Sequence, residues 1–335
     1  MTARRLLATG YPDAVPRAVR RLVPIAFAFM LLASTTSEVG AFSKARFPPQ
    51  SLGNRGSDVR AVQGLLRAHG IVAAADAVFG VTTEDAVKLF QSINGLTPDG
   101  IVGDATWLKL IVPLRPGSSG EAVLVLQRQL NSKRHAHLTV TGHYDTATRN
   151  AVIAFQRHVG MIPPAGVGTV TWRNLLWHYD YPSFKTGTLC DYSVGNGLAN
   201  WGTGAAIGQL EAAAKVFVTT GHGRVSVGDV SFEHGGNIPL HMTHEVGLDV
   251  DIRPIRKAEN QCSFGSTWRL ASYSRSATRA LINDIRAAAP GHVKLIYFND
   301  PVLIREGLTT HFPAHDDHLH IRYCEHAYPL AMYRC

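Results

Sequence analysis

Between roughly residues 51 and 177 the chain repeats itself. Gly56, Val59, Val62-Gln63, Leu66, Phe79-Gly80, Thr83, Ala86-Val87, Phe90-Gln91, Gly95-Leu96, Asp99-Gly100, Gly103 and Thr106-Trp107 make up one copy. About 65 residues later come Gly120, Val123, Leu126-Gln127, Leu130, Gly142, Tyr144, Thr148, Ala151-Val152, Phe155-Gln156, Gly160, Gly166, Gly168 and Thr171-Trp172. A unit that recurs at this length must close a small core of its own, so the repeat fixes two modules, at 51–113 and 114–178. The chain's 335 residues leave room for one larger unit after them, at 186–335.

Each copy reads as three short helices. Val59, Val62 and Leu66 recur at helical spacing, as do Ala86, Val87 and Phe90. Thr82 and Thr83 stand where hydroxyls can cap the N–H groups of a helix start. Gly95 and Gly100 break the chain between helices. Phe90, Trp107, Phe155 and Trp172 are expected in the core, because large aromatics at helical spacing are usually buried. The Gln after the apolar face, the Gly-Leu turn and the Thr-Trp ending resemble the peptidoglycan-binding type 1 module over nearly all of both copies. The resemblance implies peptidoglycan as the partner. Ala165-Gly166 stands where the first copy has Asp99-Gly100, a departure that predicts weaker ligand binding in the second copy.

Composition fits an exported globular protein. The chain is 45% hydrophobic and 17% charged, which excludes a disordered chain. Its net charge of +8 favours an acidic partner. Lys and Arg are scattered rather than gathered in a stripe, so nucleic acid is not expected as a partner. A basic stretch ending at Arg20-Arg21, an apolar run from Leu22 to Ala33 and the small residues of Val39-Gly40-Ala41 predict a signal peptide over 1–41. The run is shorter than a membrane span needs, so no stable membrane insertion is expected once the signal is removed. The predicted location is secreted, periplasmic or cell-wall associated. Cys190, Cys262, Cys324 and Cys335 contain no C-x-x-C pair, and in an exported domain they predict two disulfides. Four cysteines allow three pairings. We favour Cys190–Cys262 with Cys324–Cys335, although the sequence does not decide among them.

The second half is rich in histidine: ten of the sixteen lie from residue 201 onward. His241-Met-Thr-His244 leads through Gly247 into Leu248–Ile252, where apolar and acidic residues alternate. Alternation predicts a strand with Asp249 and Asp251 on one face, and His244 on its approach. An imidazole and a carboxylate from one loop-and-strand unit can converge on one cation. A second cluster runs His315-Asp-Asp-His318-Leu-His320. His318 and His320, two apart, face the same way on a strand, so one can hold a metal while the other faces a substrate. Two histidines and one carboxylate leave a fourth position for water, the pattern of a catalytic zinc site. No H-E-x-x-H is present, which excludes the helical zincin arrangement.

The stretch Val227-Gly-Asp229-Val-Ser231, Gly235-Gly236, then His241 to Asp251 and Ile252-Arg253-Pro254, resembles the penicillin-insensitive murein endopeptidase family. That family belongs to the lysostaphin-like and D-Ala-D-Ala metallopeptidase group, related in fold to the hedgehog signalling domain. The likeness covers roughly residues 195–323. It implies zinc ligands at His244, Asp251 and His320, a catalytic histidine at His318 and a second active-site histidine at His315. His241 matches an additional metal-site histidine, while Asp249 is a candidate for orienting His244 or His241. The implied activity is hydrolysis of D-alanyl to meso-diaminopimelyl cross-links. A carboxypeptidase trimming stem peptides, or a wall-binding protein with structural zinc, are the alternatives. Gln209 to Val218 and Thr278 to Ala289 read as amphipathic helices, and Val293 to Phe298 as a buried strand. The expected fold is therefore multidomain. Two small all-α three-helix modules precede an α+β, hedgehog-like zinc peptidase domain with a small antiparallel sheet.

Overall fold

The computed structural model describes residues 45–193, 197–239 and 241–335. The signal peptide expected over 1–41 lies outside the described residues. The described residues belong to one compact unit, Lys44–Cys335. No helix among them is long and apolar enough to cross a membrane.

Each repeat folds as three helices. The first holds α1 (Ser57–Ala68), α2 (Val81–Ile93) and α3 (Asp104–Leu110). The second holds α4 (Glu121–Arg134), α5 (Thr146–His158) and α6 (Thr169–Trp177). Phe90, Trp107, Phe155 and Trp172 are buried, as the spacing predicts. Thr82 and Thr83 do not cap α2. Gly80 is its N-cap, with no side-chain bond, and Thr83, the third residue of the helix, lies on its buried face.

Thr83 serves a different device, which occurs four times. Gln63 at the end of one apolar stripe donates to the Asp76 carboxylate, the Val78 carbonyl and the Thr83 hydroxyl, and accepts from Ala77 N–H. Gln91 makes the same set with Asp99, Ile101, Thr106 and Gly100. Gln127 bonds His143, Thr148 and Gly142 in the same way, with the Thr141 hydroxyl in place of the carboxylate. Gln156 pairs with Gly166, Thr171 and Ala165, without an acidic partner. In every case an N–H that reaches the Gln carbonyl belongs to a residue of positive φ: Ala77 at 61°, Gly100 at 77°, Gly142 at 74° and Ala165 at 56°. The four glutamines are buried, so each clamp supplies partners to loop backbone that water cannot reach.

The C-terminal domain is a five-stranded sheet, β1 (Leu189–Asp191), β2 (Val225–Val227), β3 (Asp249–Ile252), β4 (Val293–Tyr297) and β5 (Leu319–Tyr323), in the order β1-β2-β3-β5-β4. The sheet is mixed rather than antiparallel, because β1 runs parallel to β2 while the other pairs are antiparallel. Helices α7 (Gly204–Phe217) and α8 (Arg275–Ala288) begin before the amphipathic runs read from the sequence. Thr203 caps α7 by accepting from Ala206 N–H, and the small residues Gly204-Ala205-Ala206 extend the helix before the periodic stripe starts. The short α9 (Pro301–Arg305) is capped by Asp300. Strand β4 is an edge strand and half-exposed along most of its length, not buried, because β5 alone borders it. Alternation sorts the two central strands. Val250, Ile252, Leu319, Ile321 and Tyr323 pack with Leu210, Phe217, Leu281 and Ile285 of α7 and α8. Asp249, Asp251, His320 and Arg322 occupy the other face.

The cysteines pair as Cys190–Cys262 and Cys324–Cys335, with Cα separations of 5.8 and 5.2 Å. The first ties β1 to the loop after β3, and the second ties the end of β5 to the C-terminus.

The modules pack on this domain. Backbone meets backbone where Gly56 lies against Gly204 and Gly208; a Cβ on Gly208 would stand 2.4 Å from Gly56 Cα. Beside this contact Lys133 is fully buried, 2.9 Å from Asp58 and 3.5 Å from Asp180. Burial pushes the Asp58 carboxyl up to about 6 against the pull of Lys133. Farther along the interface, burial holds His178 below its ordinary range and holds His234 at about 3.

Candidate metal centre

Strands β3 and β5 pair in register, with Asp251 directly opposite His320 and Asp249 opposite Arg322. Cross-strand partners share a face, so the register alone sets the Asp251 carboxylate beside the His320 ring. Asp251 Oδ1 lies 3.1 Å from His320 Nδ1. His244 arrives from the preceding loop, with Gly247 at φ 68° making the turn back into β3. A Cβ on Gly247 would stand 2.9 Å from Thr203 N, so the loop also needs glycine there for space. His244 Nε2 is 3.1 Å from His320 Nδ1 and 3.3 Å from Asp251 Oδ1. All three residues are buried.

The outer hydrogen bonds decide which atoms face one another. His244 Nδ1–H donates to the Val230 carbonyl at 3.0 Å, which leaves Nε2 as the inward acceptor. His320 Nε2–H donates to Asp249 Oδ1 at 3.0 Å, which leaves Nδ1 inward. With the Asp251 carboxylate, three acceptors converge at 3.1–3.3 Å, close enough only around a cation, either a proton or a metal. Four ligands placed tetrahedrally about 2.1 Å from a zinc ion stand roughly 3.4 Å apart, so the donor set and its spacing fit that ion. Without a metal, burial opposes charge on His320, but its bonds to Asp249 and Asp251 prevail and push it up to about 9. Burial opposes charge on Asp251 as well, but His244 and His320 beside it hold its carboxyl well below the usual range.

Asp249 orients a different residue from the one the sequence suggests. Its Oδ1 accepts from His320 and from Arg322 Nε at 2.7 Å, and its Oδ2 accepts from Tyr333 OH at 2.7 Å and from His244 backbone N–H at 3.2 Å. It therefore holds the His320 ring and the His244 main chain, not the His244 or His241 ring. Arg322 and Tyr333 were not legible as site residues. Arg322 could have been found from the β3–β5 register, whereas Tyr333 lies 84 residues from Asp249 and carries no local signal. His241 stands at the rim, Nε2 3.1 Å from Asp229 Oδ2 and Nδ1 3.9 Å from Asp251 Oδ2. Asp229, inside the Val227–Ser231 stretch, is thus a third carboxylate of the site, after Asp251 and Asp249.

His318 precedes β5 by one residue. Its Nδ1 meets Asp317 Oδ1 at 2.9 Å and its Nε2 points inward, 3.9 Å from Asp251 Oδ1. His315 lies 4.6 Å from it between ring centroids, with Nδ1–H donating to the Pro313 carbonyl. Burial, together with the neighbouring histidines, lowers the His315 pKa. The loop bearing both is pinned by Asp316, which accepts from Asn299 and Trp268. Tyr297 and Phe312 stack to form an aromatic wall beside His315 and His320. The site thus has a buried acceptor triad and two partly exposed histidines on one side.

Residues 55–110 and 119–175 match the putative peptidoglycan binding domain family. Two such domains stand in this chain. They coincide with the two helical modules and cover about a third of the sequence. An N-acetylmuramoyl-L-alanine amidase, CwlM of Mycobacterium tuberculosis, is 32% identical over 110 residues, which are 29% of this chain and 27% of that protein. An uncharacterized protein of Kitasatospora aureofaciens is 57% identical over 35 residues, 10% of this chain and 30% of that one. The chain therefore spans less than a third of the length of either curated relative. A crystal structure of a peptidoglycan-binding protein from Clostridioides difficile is 42% identical over 19% of this chain and 40% of that one, with a TM-score of 0.19.

Proposed function

We propose that the chain is a wall-targeted zinc peptidase of hedgehog-like fold that hydrolyses peptide cross-links in peptidoglycan. Its binding domains would hold it to the polymer, and His244, Asp251 and His320 would hold the metal. One observation carries the reading: three buried acceptors converge at 3.1–3.3 Å with their outer nitrogens already committed. A zinc ion bound there supplies a Lewis acid for a carbonyl in a water-poor site.

The remaining chemistry falls to this chain's own side chains. Asp249, held by Arg322 and Tyr333, keeps the His320 ring from rotating. His318 presents Nε2 inward while Asp317 fixes its other nitrogen, so it can take a proton on one side of the scissile bond and return it to the leaving amine. His315 stands within reach to share that proton. Phe312, exposed beside Tyr297, puts this side of the site at the surface, where a peptide stem would lie. No Ser-x-x-Lys motif occurs in the chain, so acylation by penicillin has no target of that type.

Digestion of purified sacculi, followed by chromatography of the products, tests the bond. Conversion of cross-linked dimers to monomers supports the proposal. Loss of terminal alanine alone would assign a carboxypeptidase, and release of whole stem peptides from the glycan would assign an amidase like the one CwlM is named for. His318→Ala should keep its metal and lose roughly 10²–10⁴-fold in rate. An unchanged rate would remove His318 from the mechanism.

A further inference from the structure

A second cluster of metal-binding side chains lies where module 2 meets the C-terminal domain. His158 ends α5 and His178 follows α6, while Glu233 and His234 sit on the loop after β2. One ligand atom from each of the four falls within 4.8 Å of the others. Glu233 Oε1 is 3.4 Å from His158 Nε2 and 3.3 Å from His178 Nε2, and its Oε2 is 3.7 Å from His234 Nε2. These separations approach those of ligands around one small divalent ion.

Two further features favour a cation there. His178 Nδ1–H donates to the Tyr179 carbonyl at 2.9 Å, so the nitrogen turned toward Glu233 is an acceptor facing an acceptor. Both module histidines also stand at the C-terminal ends of their helices, where the backbone carbonyls attract positive charge. Arg134 reaches Glu233 and lies 3.4 Å from His178 Nε2, so a guanidinium already meets part of this demand. It engages Oε1 and leaves Oε2 turned toward His234.

We propose that His158, His178, Glu233 and His234 form an interface site for a divalent transition-metal ion of the zinc class, distinct from the site on the sheet. Three imidazoles and one carboxylate suit zinc better than calcium or magnesium, which take oxygen ligands. The ion joins module 2 to the segment that supplies Asp229, partner of His241, and Val230, whose carbonyl orients His244. Binding there would fix the module against the catalytic domain.

The test is metal content of the full-length chain, stripped with a chelator, equilibrated with zinc and passed through a desalting column. His234→Ala and His158→Ala, both at partly exposed positions, should each hold one zinc fewer per chain than the parent. The comparison is made in the parent and again in a His320→Ala background, so the interface site is read whether or not the sheet site binds zinc. In the His320→Ala chain, zinc should raise the melting temperature, and adding His234→Ala should abolish that rise. Cobalt in the same chain should give the intense visible absorption of a low-symmetry imidazole site, absent from the double variant. Equal zinc content in parent and both variants, or no zinc-dependent rise in the His320→Ala chain, overturns the proposal and leaves Arg134 as the cation of the cluster.

Discussion

His244 and His320 each commit one ring nitrogen to an outer acceptor, and that commitment turns two flexible side chains into a directed pair. Asp249 is the residue on which the arrangement hinges, since four groups donate to its two oxygens. Asp249→Asn should weaken zinc binding by roughly 10–100-fold, measured by competition with a chromophoric chelator. Unchanged affinity would show that the Asp249 charge does not orient the ligand. The sequence carried the identity of the inner residues because alternation and a two-residue spacing are local signals. It did not carry the role of Asp249, since its partners come from β5 and the C-terminal segment. At the same scale, Ala77 and Ala165 adopt positive φ where Gly100 and Gly142 do so without strain. Ala165→Gly should therefore stabilise the chain by about 0.5–1 kcal/mol in urea unfolding. The relief of left-handed strain exceeds the extra freedom glycine has when unfolded.

The recurring element of the modules is the glutamine clamp, and it accounts for the motif better than ligand contact does. Gln91 and its counterparts are buried and their polar atoms point into loops, so the Gln of each repeat is structural. Gln91→Leu would leave the buried Gly100 N–H without its acceptor, at a cost of about 1–3 kcal/mol by urea denaturation. The helices were legible because three-to-four-residue periodicity survives in both copies. The caps were not, because Thr83 sits near a helix start in sequence yet bonds across to Gln63 in space. The sheet shows the same division. Alternation along β3 and β5 revealed both faces, but β1 is a three-residue strand with no alternation to read, and its parallel pairing came only with the fold.

At the scale of the whole molecule, the modules are docked on the C-terminal domain rather than tethered to it. The buried Lys133 between Asp58 and Asp180 is part of that docking. Lys133→Met would strand the Asp58 carboxylate, while Asp180 keeps its bonds from Ser57 and Ser132, and should cost roughly 3–5 kcal/mol at pH 7. Asp58 binds a proton more tightly folded than unfolded, its carboxyl pushed up to about 6, so its contribution to stability falls as pH rises through that value. Lys133→Met removes the pull that holds this carboxyl down, so the variant should recover stability as pH is lowered from neutrality. A variant whose stability stays flat as pH falls would mean Asp58 is not the stranded group. Paired disulfides and two peptidoglycan-binding domains suit a protein that works outside the cytoplasm.

Zinc-dependent cleavage is read by the release of monomers from cross-linked sacculi by chain stripped of metal and then resupplied with zinc. The expected result is no release from the stripped chain, full release after zinc, and none in either state for His320→Ala. Release by the stripped chain at the rate of the untreated one, with its metal content verified as zero, would mean that the cleavage does not depend on a metal at His244, Asp251 and His320.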